Sequence, residues 1–233
     1  MLDWCERCLP RLPTVDLTRL PWTTSCCARR PGHCRIAPQA EQQRAPVAGA
    51  LPIVGMTAYA AVSAVAPASG ETVVVSAAAG GVGSIAVQLA RHAGATVVGL
   101  ASEPHHRWLE AHGVIPVGYG EGVAERIREA SGRRLDAFID AFGGGYVELA
   151  IELGVEPERI DTIIDFQTAK RYGVRTEGSA AGARAEVLAE LAGLIAKGQI
   201  EVPVTHVYPL EKVRDAYEEL ERRHTLGKIV LAP

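Results

Sequence analysis

The segment 71–91, ETVVVSAAAGGVGSIAVQLAR, limits what this chain can fold into more than any other. Val73, Val74 and Val75 are β-branched and apolar without alternation, the pattern of a strand buried on both faces. Gly80, Gly81 and Gly83 then interrupt the run with no side-chain bulk. Ile85, Leu89 and His92 recur at roughly helical spacing, with Ala86, Ala90 and Ala93 beside them. A strand, a glycine turn and a helix in that order leave backbone N–H groups unpaired at a helix N-terminus, where an anion can bind. The spacing Ala78-x-Gly80-x-x-Gly83 fits the dinucleotide fingerprint, with alanine in its first slot. A structural strand-to-helix turn is the simpler alternative. The setting favours the nucleotide, because the glycines lie between a strand and a helix and a second strand follows over 95–100. Ala79, Gly80, Gly81, Val82 and Gly83 are the expected pyrophosphate cradle, and a side chain at Gly80 or Gly83 is expected to enter the pyrophosphate space.

The same alternation continues along the chain. Helices are expected at 56–65, 82–93, 104–112, 121–131 and 145–153, and strands at 71–76, 95–100, 114–117, 135–140 and 159–164. Strand–helix alternation of this kind gives an α/β fold, a doubly wound parallel sheet of Rossmann type covered on both faces. Its ligand crevice lies at the carboxyl ends of the strands, so the loops 76–83, 101–107, 141–145 and 165–168 open onto it. The tail is organised differently. An amphipathic helix is expected at 183–197, with Val187, Leu188, Leu191, Leu194 and Ile195 inward. A strand at 202–207 follows, ending before Pro209. A helix at 210–223 then turns Val213, Ala216, Tyr217 and Leu220 to one side, and a strand closes the chain at 227–231. The expected domains are an irregular leader at 1–46, a dinucleotide-binding domain at 47–200, and a C-terminal segment at 201–233 that is a remnant of a second lobe.

Composition narrows the class. The 233 residues are 48% hydrophobic and 22% charged, enough for a buried core. A net charge of −3 offers no nucleic-acid footprint. The uncharged run 45–70 contains Pro46, Pro52 and Pro67 and many small residues, which argues against a membrane span and for a buried loop plus a core-facing helix. All five cysteines lie in the first 45 residues, together with seven arginines and no lysine. Cys5, Cys8, Cys26, Cys27, His33 and Cys34 include zinc-ligand types, but their spacing fits no known ribbon or finger, and no periodic pattern runs through them. The expectation is a loose, metal-free leader. The cysteine-free remainder suits a reducing cytoplasm.

Several motifs then combine. Residues 51–59, LPIVGMTAY, the run Ala77-x-x-Gly80-Gly-Val-Gly83 with Gln88-Leu-Ala90, Pro209-Leu-x-x-Val213 and residues 227–231, GKIVL, resemble the medium-chain dehydrogenase/reductase superfamily. The branch they resemble most is the zinc-independent quinone oxidoreductase-like enzymes. The resemblance spans about residues 47–233 and implies NADP(H)-linked reduction of a small quinone, enone or other carbonyl, with no zinc. It also implies an N-terminal catalytic lobe longer than residues 1–45, and a homodimer paired through the sheet edge near 159–174. Thr57, in the Gly-Met-Thr-Ala motif, is implied to approach the nicotinamide; its competing role is core packing. Lys228, in the family's final loop, is implied to face the cofactor; its competing role is a solvated strand lysine.

The end of the second strand discriminates NADP from NAD, because a carboxylate there would bind the ribose 2′-OH and repel a 2′-phosphate. Ser102 holds that position, with His105, His106 and Arg107 following. A hydroxyl and cations suit a 2′-phosphate, which favours NADP(H) over NAD(H). Glu103 is one position further and points away if the strand continues. An exposed helix start opened by Pro104 is the alternative account of the same residues. Phe142 and Gly143 follow the fourth strand, where bare backbone can admit the nicotinamide ribose or simply turn. Phe166, ending the fifth strand with Asp165, either lines the ring site or covers the core. No catalytic acid, base or nucleophile stands out, which is compatible with hydride transfer, where the cofactor carries the chemistry. The competing function is a non-catalytic nucleotide-binding and dimerising module.

Overall fold

Runs of β-branched residues punctuated by glycine turns form a parallel sheet here, as their two-sided apolar character requires. The computed structural model describes residues 44–233. Expectations that fall on residues 1–43, including the loose leader and its cysteines, lie outside the described residues. The strands β1 (Thr72–Val75), β2 (Thr96–Leu100), β3 (Ile115–Val117), β4 (Ala137–Asp140) and β5 (Ile160–Thr162) are all parallel, in the order β3-β2-β1-β4-β5. The order reverses at β1, so the crevice opens between β1 and β4, where such sheets take their ligands.

Helices α1 (Arg44–Val65), α2 (Gly83–His92) and α8 (Ala185–Ala196) cover one face. There Val73, Val75, Val97 and Ile139 meet Leu51, Val54, Ala58, Ile85 and Leu191. Helices α3 (His106–Ala111), α4 (Val123–Ala130), α5 (Tyr146–Glu152), α6 (Phe166–Tyr172) and the short α7 (Ser179–Gly182) complete this part. On the opposite face Val74, Val98, Leu100, Phe138 and Ile160 pack with Ile127, Val147, Ala150 and Ala169. Adjacent residues of β1 serve different cores, which is the period-2 rule of a strand buried on both sides.

Three expectations are corrected. The loop expected before residue 56 is helical, because α1 runs from Arg44 through Pro52. Pro46 lies in the first turn, where an N–H has no intrahelical acceptor, and Pro52 removes one bond only. Leu51, Val54, Ala58, Ala61, Val62 and Val65 are all buried on one stripe, and that packing overrides the break. By length and composition α1 could cross a membrane; here its buried stripe lies on the sheet. The fifth strand stops at Thr162 rather than residue 164, so Phe166 begins α6 instead of ending a strand. The Thr162 hydroxyl accepts from Asp165 N at 3.0 Å, and Asp165 caps α6 by accepting from Thr168 N at 3.1 Å.

The C-terminal segment is a βαβ unit of β6 (Val204–Pro209), α9 (Val213–Glu221) and β7 (Lys228–Ala232), with the two strands parallel. Pro209 belongs to β6, contrary to expectation. It pairs only with Ala232 in this two-stranded sheet, and an edge strand tolerates its missing N–H. The face of α9 that carries Val213, Ala216, Tyr217 and Leu220 is only partly covered. Ala216 is buried, but Tyr217 is 62% and Leu220 53% exposed.

Candidate functional site

The glycine loop builds the site. Ala77 has φ +48°, a left-handed backbone that turns the chain off β1. Gly80 N donates to Ala77 O at 2.8 Å and closes the turn. A Cβ on Gly83 would lie 2.1 Å from Ala77 O, so only glycine lets the loop fold back on itself there. That substituent would therefore enter the turn, not the pyrophosphate space, which corrects the expected effect at Gly83. At Gly81 the same construction meets Lys228 Cδ at 2.7 Å and Val54 Cγ1 at 3.4 Å, facing the crevice.

Gly81 N–H faces Gly227 O in the isolated parallel bridge between Gly80 and Gly227, whereas among the described residues no acceptor takes the N–H of Val82 or Gly83, and Val82 provides no side-chain cap for α2. These two donors sit at the positive end of a ten-residue helix whose first eight residues are buried. They open into a cleft of about 240 Å³ lined by Val54, Ala77, Gly80, Gly81, Val82, Gly83, Ala141, Ile163 and Lys228. The Lys228 stem crosses Gly81, and among the described residues no carboxylate pairs with its ammonium. Anion binding is the chemistry that free amides and one free cation offer.

The far wall is set by a buried polar network that the sequence did not single out. Asp140 Oδ1 accepts from Ser76 Oγ at 2.7 Å, Phe142 N at 3.0 Å and Gly143 N at 2.9 Å, and its Oδ2 accepts from Thr162 Oγ1 at 2.8 Å. Ser76 Oγ also accepts from Ala141 N at 2.8 Å. The ends of β1, β4 and β5 are thereby locked, and Ala141 and Ile163 are held in the cleft wall. The one sequence signal was the polar residue ending each apolar run. Tyr119 was also missed. Its hydroxyl donates to Leu100 O at 2.9 Å, its ring stacks on Phe142 at 5.4 Å, and burial pushes its pKa up to about 12.

The remaining expected residues fall as follows. Thr57 is buried and donates to Ile53 O at 2.7 Å, and Val54 is the α1 residue lining the cleft. Ser102 precedes a 3₁₀ turn at Glu103–His105 and makes no capping bond. His105 lies against the backbone of His224, and burial lowers its pKa. Arg107 is exposed. Gly143 is buried with φ +78°, while Phe142 is 44% and Phe166 61% exposed. A larger cleft of about 450 Å³ lies on the C-terminal unit beside His206, Tyr208, Glu219 and Arg222. It shares no residue with the glycine-loop cleft, and its carboxylates Asp215, Glu218 and Glu219 disfavour an anion, so the smaller cleft is the candidate site.

A family model described as zinc-binding dehydrogenase matches residues 109–231, more than half the chain. The chain belongs to the medium-chain dehydrogenase/reductase superfamily. A quinone oxidoreductase from Pseudomonas aeruginosa is 31% identical over 188 residues, covering 70% of this chain and 57% of that protein. Erythronolide synthase EryA2 from Saccharopolyspora erythraea is 33% identical over 199 residues, covering 79% of this chain and 6% of that protein. The solved structure of the quinone oxidoreductase from Coxiella burnetii superposes with a TM-score of 0.67 at 29% identity, covering 78% of this chain and 59% of that one. The chain therefore spans little more than half of the oxidoreductases it resembles. Despite the zinc in the family description, among the described residues no three His, Cys, Asp or Glu side chains gather as a metal site, and no step is derived through zinc.

Proposed function

We propose that this medium-chain dehydrogenase/reductase chain binds NADP(H) across the carboxyl ends of β1 and β4 and serves hydride transfer to a small quinone, enone or other carbonyl. The observation that carries the reading is the pair of free amides at Val82 and Gly83, in the cleft that Lys228 also lines. They fit a pyrophosphate, with Ala79 and Gly80 completing the loop. The free Ser102 hydroxyl and exposed Arg107 suit a ribose 2′-phosphate, whereas burial disfavours the charged form of His105. Tyr119 and Phe142 offer a flat wall for a heteroaromatic ring. Thr57 acts by packing behind Val54, Gly143 leaves bare backbone at the ribose, and Phe166 borders the open side. When bound, the dihydronicotinamide supplies the hydride, while these residues orient it and exclude water.

The proposed setting is cytoplasmic, without zinc, and with a second copy paired at the β5 side of the sheet. A second reading, a nucleotide-binding module without turnover, is favoured by the exposed side of α9. Fluorescence titration with NADPH and NADH tests the proposal. NADPH should bind at least about tenfold tighter, a difference of roughly 1.4 kcal/mol. Equal affinity would remove the 2′-phosphate assignment, and no binding of either would remove the site.

A further inference from the structure

Gln88 is a buried polar residue of α2 that does not line the glycine-loop cleft. Its side-chain amide is 5% exposed and fully paired. Nε2 donates to Glu201 O at 2.9 Å and to Ser84 O at 2.6 Å, and Oε1 accepts from Glu201 N at 2.8 Å. An amide carries one donor group and one acceptor, so it grips both backbone groups of a single residue as a neighbouring strand would. The Glu201 side chain is held separately from α3, by Trp108 Nε1 at 2.9 Å and His112 Nε2 at 3.3 Å. Residue 201 is thus fixed from two helices on the approach to β6.

The grip leads back to the glycine loop. Two residues after Glu201, Pro203 O accepts from Lys228 N at 2.9 Å. A Cβ on Gly227, at φ +68°, would lie 2.1 Å from that same Pro203 oxygen, so the two chains meet with no slack. Gly227 N in turn donates to Ala79 O at 2.8 Å, and the Lys228 stem crosses Gly81. The path runs from Gln88 through Glu201 and Pro203 to Lys228, and returns to the N-terminus of the helix that carries Gln88.

We infer that Gln88 is a positioning residue that sets the C-terminal βαβ unit against the glycine loop and so holds Lys228 over the anion cleft. The consequence for cofactor rests on the proposed NADP(H) reading; the mechanical coupling does not. The test therefore has one arm without cofactor. Hydrogen exchange is measured on the wild-type chain, on Gln88→Met, which fills the space without hydrogen bonds, and on Gln88→Glu, which keeps the acceptor but opposes two carbonyls. Exchange over residues 226–230 should accelerate about tenfold or more in both variants, while residues 72–75 change less than about twofold.

In the second arm Lys228→Ala is combined with Gln88→Met and NADPH affinity is titrated. Lys228→Ala should weaken the wild type about tenfold yet change the Gln88→Met chain by less than about twofold, since the lysine is already misplaced. Unchanged exchange over 226–230, exchange that rises equally across the sheet, or additive losses in the double variant would overturn the inference. If the wild type binds no NADPH, the cofactor reading fails, and the exchange arm alone decides the coupling.

Discussion

At the scale of single residues, Gly81 and Gly83 look equivalent in sequence and are not equivalent in space. Gly83 faces the Ala77 carbonyl inside the turn, and Gly81 faces Lys228 across the cleft. Gly83→Val should therefore act on stability, since overpacking against backbone costs about 1–3 kcal/mol or more. Gly81→Val meets the end of a flexible side chain, so the fold should survive while NADPH affinity falls about tenfold or more, the cost of a displaced cation and a blocked amide. Thermal melts paired with NADPH titrations separate the two effects. A Gly81→Val chain that binds as the wild type does would remove the loop from the site. The need for glycine is legible from the fingerprint. Which glycine faces the ligand depends on where residues 77 and 228 stand, more than 140 positions apart in sequence.

At the scale of elements, β5 shows how a strand edge is finished. Thr162 N donates to Arg175 O at 3.0 Å and Arg175 N to Ile160 O at 2.9 Å, so residues beyond α6 cover an edge that reads as bare in sequence. Between these bonds the buried Asp161 accepts from Glu177 N at 2.7 Å, while its Oδ2 has no partner among the described residues. Burial foremost, with Glu177 and Asp140 nearby, pushes this carboxyl up to about 7, against the Glu177 amide and Arg175. An unfolded aspartate titrates near pH 4. Between about pH 4 and 7 the native state thus binds the extra proton, so this group's contribution to stability falls as pH rises through that window. Asp161→Asn, which keeps an acceptor without ionising, should be more stable than the wild type at pH 8 by on the order of 1–3 kcal/mol. At pH 4 the advantage should vanish. Urea unfolding of both proteins at the two pH values measures it, and a difference independent of pH would show that Asp161 does not titrate in this range.

At the scale of the whole molecule, the sheet is well covered and the C-terminal unit is not. Val207, Leu210, Tyr217 and Leu220 are 48%, 56%, 62% and 53% exposed, on the unit that also delivers Lys228 to the cleft. Hydride transfer needs donor and acceptor carbons at near-attack distance in a dry site. The described residues enclose the glycine-loop side of the crevice but leave Phe142 and Phe166 open. Turnover of the chain as written should therefore lie below the ordinary enzyme range of about 1–10³ s⁻¹, even where NADPH binds. Its mass in solution should be that of two copies. Light scattering and NADPH oxidation with a panel of quinones and enones check both. A monomer would refute pairing at the β5 side, and ordinary turnover would show that the chain completes its own active site.

The sequence determined the parallel sheet, its glycine loop and the approximate place of every strand, because a strand buried on both faces and a tight glycine turn each demand residue types that leave a local pattern. It also exposed Lys228 as a candidate, through a motif at the far end of the chain. It misplaced the start of α1, since proline is a local signal and the burial of Leu51, Val54 and Ala58 on the sheet is not. It did not reveal the Asp140 network, the stacked Tyr119 or the Gln88 grip on Glu201. Single serines, aspartates and glutamines carry no period. Ser76 and Asp140 are 64 residues apart, and Gln88 and Glu201 are 113 apart. Tertiary structure decides such pairs, because a buried hydrogen bond depends on which strand ends and helix faces the packed sheet brings within 3 Å.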